Sequence, residues 1–299
     1  MKVFMTGATG LIGRSIRHAL TDRGDEVIAL TRSPRPPAAR TQWIVAPPTN
    51  VSDWGEHVDG CNAVINLAGE PIAQRWSASA MTRIVQSRVG VTTALFHAIE
   101  GAKRRPAVML SASAVGFYGS SESETFTEES PQGHGFLARV CEQWEDAAER
   151  SAPLTRVVRT RFGIVFTRHG GALPKLLAPY RMMMGGPLGS GKQWMSWVSL
   201  EDTVQMLLHA LDESKIEGAF NVTAPEPERN SEVSSTIAKV LRVPNLMGAN
   251  RLWLKMFLGK MAQETILEGQ KVLPEVAKLS GYTFQHPKLE GALRGMFGK

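Results

Sequence analysis

The chain has 299 residues and a formal net charge of +6, and 43% of its residues are hydrophobic against 21% that are charged. This composition is typical of a packed globular protein and excludes a disordered chain. No apolar run is long enough to span a membrane, and two cysteines are too few for a disulfide framework. Because the first residues also lack a signal-peptide pattern, the expected location is cytoplasmic.

The positive charge is scattered along the chain and is not interleaved with aromatic residues, unlike the pattern of a single-strand nucleic-acid binder. It suits a phosphate-bearing small molecule, so we expect neither a nucleic acid nor a membrane as partner. The seven histidines show no spacing that is typical of a metal site, and no metal is expected.

The first element is an apolar strand over residues 2–6, which leads into a glycine-rich turn and an amphipathic helix. Gly7, Gly10 and Gly13 form a GxxGxxG pattern, which is physically similar to the GxGxxG fingerprint of dinucleotide sites. Gly7 permits a sharp turn, Gly10 the close approach of backbone to a pyrophosphate, and Gly13 tight packing of the helix on the strand. The N-terminus of the helix then offers amide groups to the phosphates. The alternative is a glycine-rich turn without a ligand.

Apolar runs then alternate with helical patterns up to about residue 166. They predict strands over residues 26–31, 42–45, 63–67, 107–112 and 155–160, with a long helix over about 77–101. This alternation predicts an α/β fold, a Rossmann-type doubly wound parallel sheet with helices on both faces. In such a fold the ligand-binding residues lie at the C-terminal ends of the strands.

From about residue 167 the chain is rich in glycine, and helices are predicted over about 201–211, 230–241 and 251–270. We interpret residues 1–166 as the dinucleotide-binding domain and most of residues 167–299 as a smaller C-terminal substrate lobe. Residues 198–224 are expected to pack back on the sheet, with a returning strand over residues 220–222.

The second predicted strand ends in Thr31 and Arg32, where a protein that binds NAD usually carries a carboxylate for the ribose hydroxyls. No carboxylate is present there, and the planar guanidinium of Arg32 suits a 2′-phosphate. NADP(H) is therefore favoured over NAD(H) as the cofactor. The alternative is a solvated arginine on a surface loop.

Two predicted strands end in distinctive sequences, NLAGE over residues 66–70 and SASAVGFYG over residues 111–119. With them the chain resembles the short-chain dehydrogenase/reductase superfamily, and most closely its extended, atypical branch of NAD-dependent epimerase/dehydratase proteins. Residues 185–191 and 267–274 are similar to the same subgroup, whose members resemble sugar-nucleotide epimerases in fold. The cofactor-binding set expected from the motifs and this resemblance is Gly7, Thr9, Gly10, Leu11, Ile12, Gly13, Thr31, Arg32, Leu67, Ala68, Gly69, Arg88 and Arg161.

In the superfamily that the chain resembles, a YxxxK motif on the helix after the fifth strand supplies a tyrosine as general acid/base and a lysine that lowers its pKa and holds the nicotinamide ribose. The chain departs from the superfamily at this pair. None of the three tyrosines is followed by a lysine four residues later, and Phe136 and Val140 stand at the matching positions. Neither of these side chains transfers a proton. Ser113, which resembles the family's catalytic serine, and Tyr118 remain as the catalytic candidates.

A tyrosine with a pKa near 10 is a poor base at neutral pH, so Tyr118 requires a nearby cation. The resemblance places Arg88 and Arg161 near the cofactor, and both are candidates; the alternatives are a solvated Arg88 and a structural ion pair for Arg161. Cys141 lies on an apolar helix stripe and is expected to be a buried small hydrophobe. Some aromatic and methionine side chains line either a substrate cleft or the core: Trp76, Met81, Trp194 and Trp197.

The residues support two hypotheses of different class. The first is an NADP(H)-dependent oxidoreductase or epimerase-like enzyme for a small polar, sugar-like molecule, in which Ser113 and Tyr118 orient a carbonyl or hydroxyl group. The second is a non-catalytic NADP(H)-binding protein that senses redox state or scaffolds a partner, which the loss of YxxxK supports. Long exposed helices also make a homodimer a candidate assembly.

Overall fold

A computed structural model describes residues 1–249, 256, 259 and 261–298. Its strands, in chain order, are β1 (Lys2–Thr6), β2 (Glu26–Thr31), β3 (Thr41–Val45), β4 (Ala63–Asn66), β5 (Val108–Ala114), β6 (Thr125–Phe126), β7 (Arg156–Phe162), β8 (Ile164–Phe166), β9 (Trp194–Met195), β10 (Trp197–Ser199), β11 (Gly218–Val222), β12 (Glu228–Arg229) and β13 (Lys271–Val272).

Seven of these strands form one central sheet, in the order β11-β7-β5-β4-β1-β2-β3, with every neighbouring pair parallel. The register pairs Val3 with Ala63 and with Val27, so the ends of β1, β4 and β2 lie at one edge. The predicted Rossmann-type doubly wound sheet is confirmed.

Helices cover both faces of the sheet, as buried parallel strands require. The α-helices with described bounds, in the sheet layers and in the lobe together, are α1 (Leu11–Asp22), α2 (Ala78–Gly101), α3 (Phe136–Glu149), α4 (Leu173–Arg181), α5 (Leu200–Asp212), α6 (Asn230–Leu241), α7 (Glu275–Leu279) and α8 (Leu289–Phe297). Helices α1 and α5 pack together on one face, and α2 and α3 pack together on the other. Within the described part of the chain, no helix is both long and apolar enough to cross a membrane.

A smaller apolar cluster holds the C-terminal lobe together. Residues from α4, α6 and α8 pack there with the indole of Trp197, which is fully buried. In the sequence, α5 and β11 lie between α4 and α6 of this lobe, and β11 pairs with β7 at the edge of the central sheet. The chain therefore passes from the lobe to the sheet and back into the lobe.

Two helix predictions differ from the structure. Helix α4 lies in the glycine-rich region for which no helix is predicted; Pro174 stands in its first turn, which proline tolerates, and Pro179 lies inside it. Of the helix predicted over 251–270, residues 251–255, 257, 258 and 260 lie outside the described residues. Its described end forms a π-helix, Gln263–Leu267.

Candidate functional site

The glycine-rich turn after β1 has no room for side chains at two of its three glycines. Gly7 has φ +68°, and a Cβ on it would lie 2.4 Å from the carbonyl oxygen of Leu67. A Cβ on Gly13 would lie 2.0 Å from the carbonyl oxygen of Gly7. The turn is closed by the amide of Gly10, which donates to Gly7 O at 2.9 Å. Helix α1 is thus packed directly against the end of β1 and the loop after β4.

The N-terminus of α1 is open to an anion. Gly10 is its N-cap, no side chain caps the helix, and its first turn contains no acidic residue. Leu11 and Ile12 are only partly buried. The first amides of a helix need an acceptor from outside it, and the helix dipole favours a negative one. This cradle of close-packed glycines fits a pyrophosphate group.

Arg32 directly follows β2, at the edge of the sheet where α1 begins. Its side chain is exposed and makes no hydrogen bond or ion pair with the described residues. Thr31 turns the chain here, because its hydroxyl donates to the carbonyl oxygen of Ser33 at 3.0 Å. The carboxylate of Glu70, in the loop after β4, accepts hydrogen bonds from Gln74 and Arg83, which lower its pKa. The charge of Arg32 adds to this lowering without a hydrogen bond. Arg32 is therefore available to a phosphate.

A buried polar network fixes the ends of β1 and β4 beneath the turn. The hydroxyl of Thr6 donates to Asn66 Oδ1 at 2.6 Å, and Asn66 Nδ2 donates to Thr92 Oγ1 at 2.8 Å. Trp144 on α3 donates to the same hydroxyl at 3.0 Å. These hydrogen bonds join the sheet to α2 and α3, and the polar end of β4 is their one trace in the sequence.

Arg88 on α2 lies against the loop that follows β4. Its Cζ lies 3.2 Å from the position of a Cβ on Gly69 and 5.1 Å from the ring centroid of Trp144. Its Nη1 donates to the carbonyl oxygen of Ile84 at 3.1 Å, within the same helix. Burial lowers the pKa of this guanidinium. The structure thus places Arg88 against Gly69 in the loop after β4, and its contact with the cofactor stays a prediction.

Ser113 and Tyr118 are both 2% exposed, and their hydroxyls already have partners. Ser113 Oγ donates to Glu145 Oε1 at 2.6 Å. Tyr118 donates to Asn221 Oδ1 at 2.7 Å and accepts from Arg161 Nη1 at 2.8 Å. Burial raises the pKa of Tyr118 to about 12. Both hydroxyls are thus bonded inside the protein, and the catalytic roles of the two residues stay predictions.

Arg161 follows the structural alternative. It is 3% exposed, and its guanidinium donates to both carboxylate oxygens of Glu145 at 2.8 and 2.7 Å. Phe117 covers it, with the ring centroid 3.6 Å from Cζ. The remaining donors reach Tyr118 and the carbonyl oxygen of Glu128. With four of its five N–H groups bonded inside the protein, this covered guanidinium fits the structural ion pair better than the predicted cofactor contact.

Glu145, which contacts both Ser113 and Arg161, is not indicated by any of the sequence motifs. It is a buried carboxylate on α3, a helix otherwise interpreted through its apolar stripe. A signal was present in β7, where Arg159 and Arg161 stand in a strand that must be buried. Arginines in such a strand require an acidic partner.

The start of α3, where the superfamily carries its tyrosine, is apolar on one side. The ring of Phe136 packs edge-on against Trp76, with centroids 4.9 Å apart, and lines an open groove with Met81. On the other side the carboxylate of Glu264 accepts from the amides of Phe136 and Leu137 at 3.2 and 3.0 Å. A cavity of about 30 Å³, room for one water molecule, adjoins this carboxylate.

The other sequence candidates lie in structural positions. Cys141 is buried, and burial raises the pKa of its thiol to about 11. Trp197 belongs to the core of the lobe, whereas Trp194 packs against the cations of Arg229 and Lys271. Trp76 and Met81 therefore remain as candidates for the cleft, and Trp197 does not.

Residues 3–223 match the model of the NAD dependent epimerase/dehydratase family. The chain belongs to this family. A further match, to a domain of unknown function (DUF1731), covers residues 251–296. The resemblance inferred from the strand ends is confirmed.

Relatives of the family match over nearly the whole chain. The epimerase family protein SDR39U1 homolog, chloroplastic, of Arabidopsis thaliana is 40% identical over 303 residues, covering 99% of this chain and 86% of that protein. The epimerase family protein YfhF of Bacillus subtilis is 35% identical over 302 residues, covering 98% and 97%. The crystal structure of human epimerase family protein SDR39U1 (isoform 2) with NADPH superposes with a TM-score of 0.91 at 30% identity, covering 100% of both chains.

Sugar-nucleotide epimerases share the fold. UDP-glucuronic acid 4-epimerase of Bacillus cereus, in complex with UDP-glucuronic acid and NAD, superposes with a TM-score of 0.80, covering 100% of this chain and 98% of that one. Its sequence identity is 16%. At that level the likeness concerns the fold alone.

Proposed function

We propose that this protein binds NADP(H) at the C-terminal edge of its sheet and acts as an oxidoreductase or epimerase-like enzyme. Its substrate would be a small polar, sugar-like molecule. When bound, the cofactor supplies or accepts a hydride. We further propose a cytoplasmic location, and a homodimer remains a prediction.

The proposal rests on two features at neighbouring strand ends: the close-packed glycine turn after β1 and Arg32 after β2. The cradle is too tight for side chains at Gly7 and Gly13 and leaves the first amides of α1 to an anion. Arg32 stands at the end of the neighbouring strand, with no carboxylate in the place that NAD-binding proteins use. The crystal structure of the human relative, which contains NADPH, supports the same cofactor.

The residues proposed to hold the cofactor fall into three groups along the sheet edge. The turn and helix start would bind the pyrophosphate, the end of β2 would bind the 2′-phosphate, and the loop after β4 with Arg88 would face the other half. In that order they are Gly7, Thr9, Gly10, Leu11, Ile12 and Gly13; Thr31 and Arg32; and Leu67, Ala68, Gly69 and Arg88.

A second candidate is a non-catalytic NADP(H)-binding protein that senses redox state or scaffolds a partner. The burial of the hydroxyls of Ser113 and Tyr118 favours it, as do the apolar side chains Phe136 and Val140 in place of the catalytic pair. The two candidates share the cofactor site and differ only in turnover.

Titration of the purified protein with NADPH and with NADH tests the proposal, with tryptophan fluorescence as the signal. Tighter binding of NADPH is the expected result. Equal affinity would contradict the role of Arg32, and no binding of either would contradict the proposed function. Hydride exchange with a panel of carbonyl compounds, once binding is established, separates the enzyme from the sensor.

A further inference from the structure

Arg88 is a largely covered cation without a carboxylate partner among the described residues. Among the residues that the structure describes, only Nη1 finds hydrogen-bond acceptors, the carbonyl oxygen of Ile84 at 3.1 Å and Ser87 Oγ at 3.4 Å, both on its own helix. Arg161, in contrast, is neutralised by Glu145 through two hydrogen bonds. Burying a guanidinium costs free energy unless an anion or hydrogen-bond acceptors compensate it. Arg88 is only partly buried, and its Nε and Nη2 have no acceptor among the described residues, so these donors are open to a ligand.

Arg88 lies near the place on α3 where the superfamily carries the lysine of YxxxK. Its guanidinium lies over the ring of Trp144 on α3, at 5.1 Å from the centroid. Val140, which replaces the lysine of YxxxK, lies one helical turn before Trp144 and on the same face. Arg88 thus reaches the side of α3 that a lysine at position 140 would occupy, but it comes from the neighbouring helix.

The order of strands places Arg88 and Arg32 on opposite sides of the glycine turn. β1 lies between β2, which ends at Arg32, and β4, which leads to Gly69 and Arg88. A dinucleotide lies across the strand ends with its pyrophosphate at the N-terminus of the first helix. Its adenosine half would then lie on the side of Arg32, and its nicotinamide half on the side of Arg88.

We infer that Arg88 binds the hydroxyls of the nicotinamide ribose, in place of the lysine that this chain lacks. The inference rests on the proposed cofactor site. A guanidinium stays protonated in proteins, so Arg88 positions the cofactor and takes no part in proton transfer. With Arg88 in this positioning role, a chain that lacks YxxxK still has a cation for the nicotinamide half of the cofactor.

The test compares two ligands on two variants. Adenosine 2′,5′-bisphosphate carries only the adenosine half of NADPH, so it reports on Arg32 and not on Arg88. We expect Arg88→Gln to weaken NADPH about tenfold, the value of a hydrogen bond to a charged group, and to leave the bisphosphate within about twofold. Arg32→Ala should weaken both ligands. Arg88→Lys, which keeps the charge, should recover part of the NADPH affinity.

Arg105→Gln serves as the matched control, because Arg105 is exposed and lies beyond the far end of α2. Its affinities should equal those of the wild type. An Arg88→Gln variant that binds NADPH like the wild type, or that loses both ligands equally, would overturn the inference while leaving the proposed cofactor site intact. A wild-type protein that binds neither ligand would overturn both. Thermal melting of each variant confirms that the compared proteins are folded.

Discussion

The carboxylate of Glu145 holds the guanidinium of Arg161 through two hydrogen bonds, 2.8 Å from Nε to Oε1 and 2.7 Å from Nη2 to Oε2. Both side chains are less than 5% exposed. The pair joins α3 to β7 beneath the edge of the sheet that carries the candidate cofactor site. A buried pair of this kind commits Arg161 to the protein interior and removes it from the set of ligand-binding cations.

Glu145→Gln should lower the free energy of unfolding by about 3–5 kcal/mol, because it leaves the buried charge of Arg161 without its counter-ion. Urea unfolding followed by circular dichroism measures this change. Glu149→Gln is the control, since Glu149 is half exposed on the same helix and its pairing with Arg159 is worth less than about 1 kcal/mol. Equal effects of the two substitutions would show that the buried pair is not specially important.

Ser113→Ala should leave NADPH affinity unchanged within about twofold and lower the free energy of unfolding by about 1–2 kcal/mol, the loss of one hydrogen bond to a charged group. The reason is that Ser113 Oγ donates to Glu145 and does not face the crevice. Fluorescence titration and urea unfolding give the two values. A large loss of cofactor affinity with normal stability would restore Ser113 to the ligand site.

The native protein should form little tyrosinate at about pH 10, where half of the tyrosines in an unfolded chain are ionised. Burial raises the pKa of all three phenols, to about 12 for Tyr118. Absorbance of tyrosinate during a pH titration, compared between native and urea-unfolded protein, measures this. Substantial ionisation of the folded protein at about pH 10 would mean that at least one phenol is accessible.

The same shift makes stability depend on pH. A phenol whose pKa is higher in the folded state stabilises that state fully below the unfolded pKa of about 10 and loses this contribution as the pH rises towards 12. Over that interval the free energy of unfolding should fall less steeply in Tyr118→Phe than in the wild type. Identical slopes would contradict the burial of the Tyr118 hydroxyl.

Gly13→Ala should abolish NADPH binding and destabilise the protein, because the added Cβ would lie 2.0 Å from the carbonyl oxygen of Gly7. Backbone atoms at this distance must move, which separates α1 from the end of β1. Gly291→Ala is the control: a Cβ there meets nothing within 4 Å, and alanine in a helix should raise stability by about 0.5–1 kcal/mol. Normal cofactor affinity in Gly13→Ala would refute the close-packed turn.

Much of the fold follows from local patterns in the sequence. Buried parallel strands are nearly continuous apolar runs, so β1, β2 and β4 are predicted to within a residue or two. Helix α4 escapes prediction because Pro179 argues against a helix that tertiary packing nevertheless stabilises. The short strand pairs of the lobe escape it because two or three residues carry no periodicity.

The candidate site divides in the same way. The glycine turn and Arg32 are local features, and both lie where the sequence predicts them. Partners of Tyr118 and Ser113 come from distant segments: Asn221 is 103 residues from Tyr118, and Glu145 is 32 residues from Ser113. A sequence shows that a hydroxyl is present at a strand end, but only packing decides whether it faces the crevice or the core.

The most direct test of the account compares the ratio of the NADH and NADPH dissociation constants in the wild type and in Arg32→Ala. If Arg32 binds the 2′-phosphate, NADPH should bind the wild type at least about tenfold more tightly than NADH, which corresponds to about 1.4 kcal/mol. The substitution should remove this preference while leaving NADH affinity unchanged. A wild type without preference, or a variant that keeps it, would contradict the assignment of NADP(H) to this site.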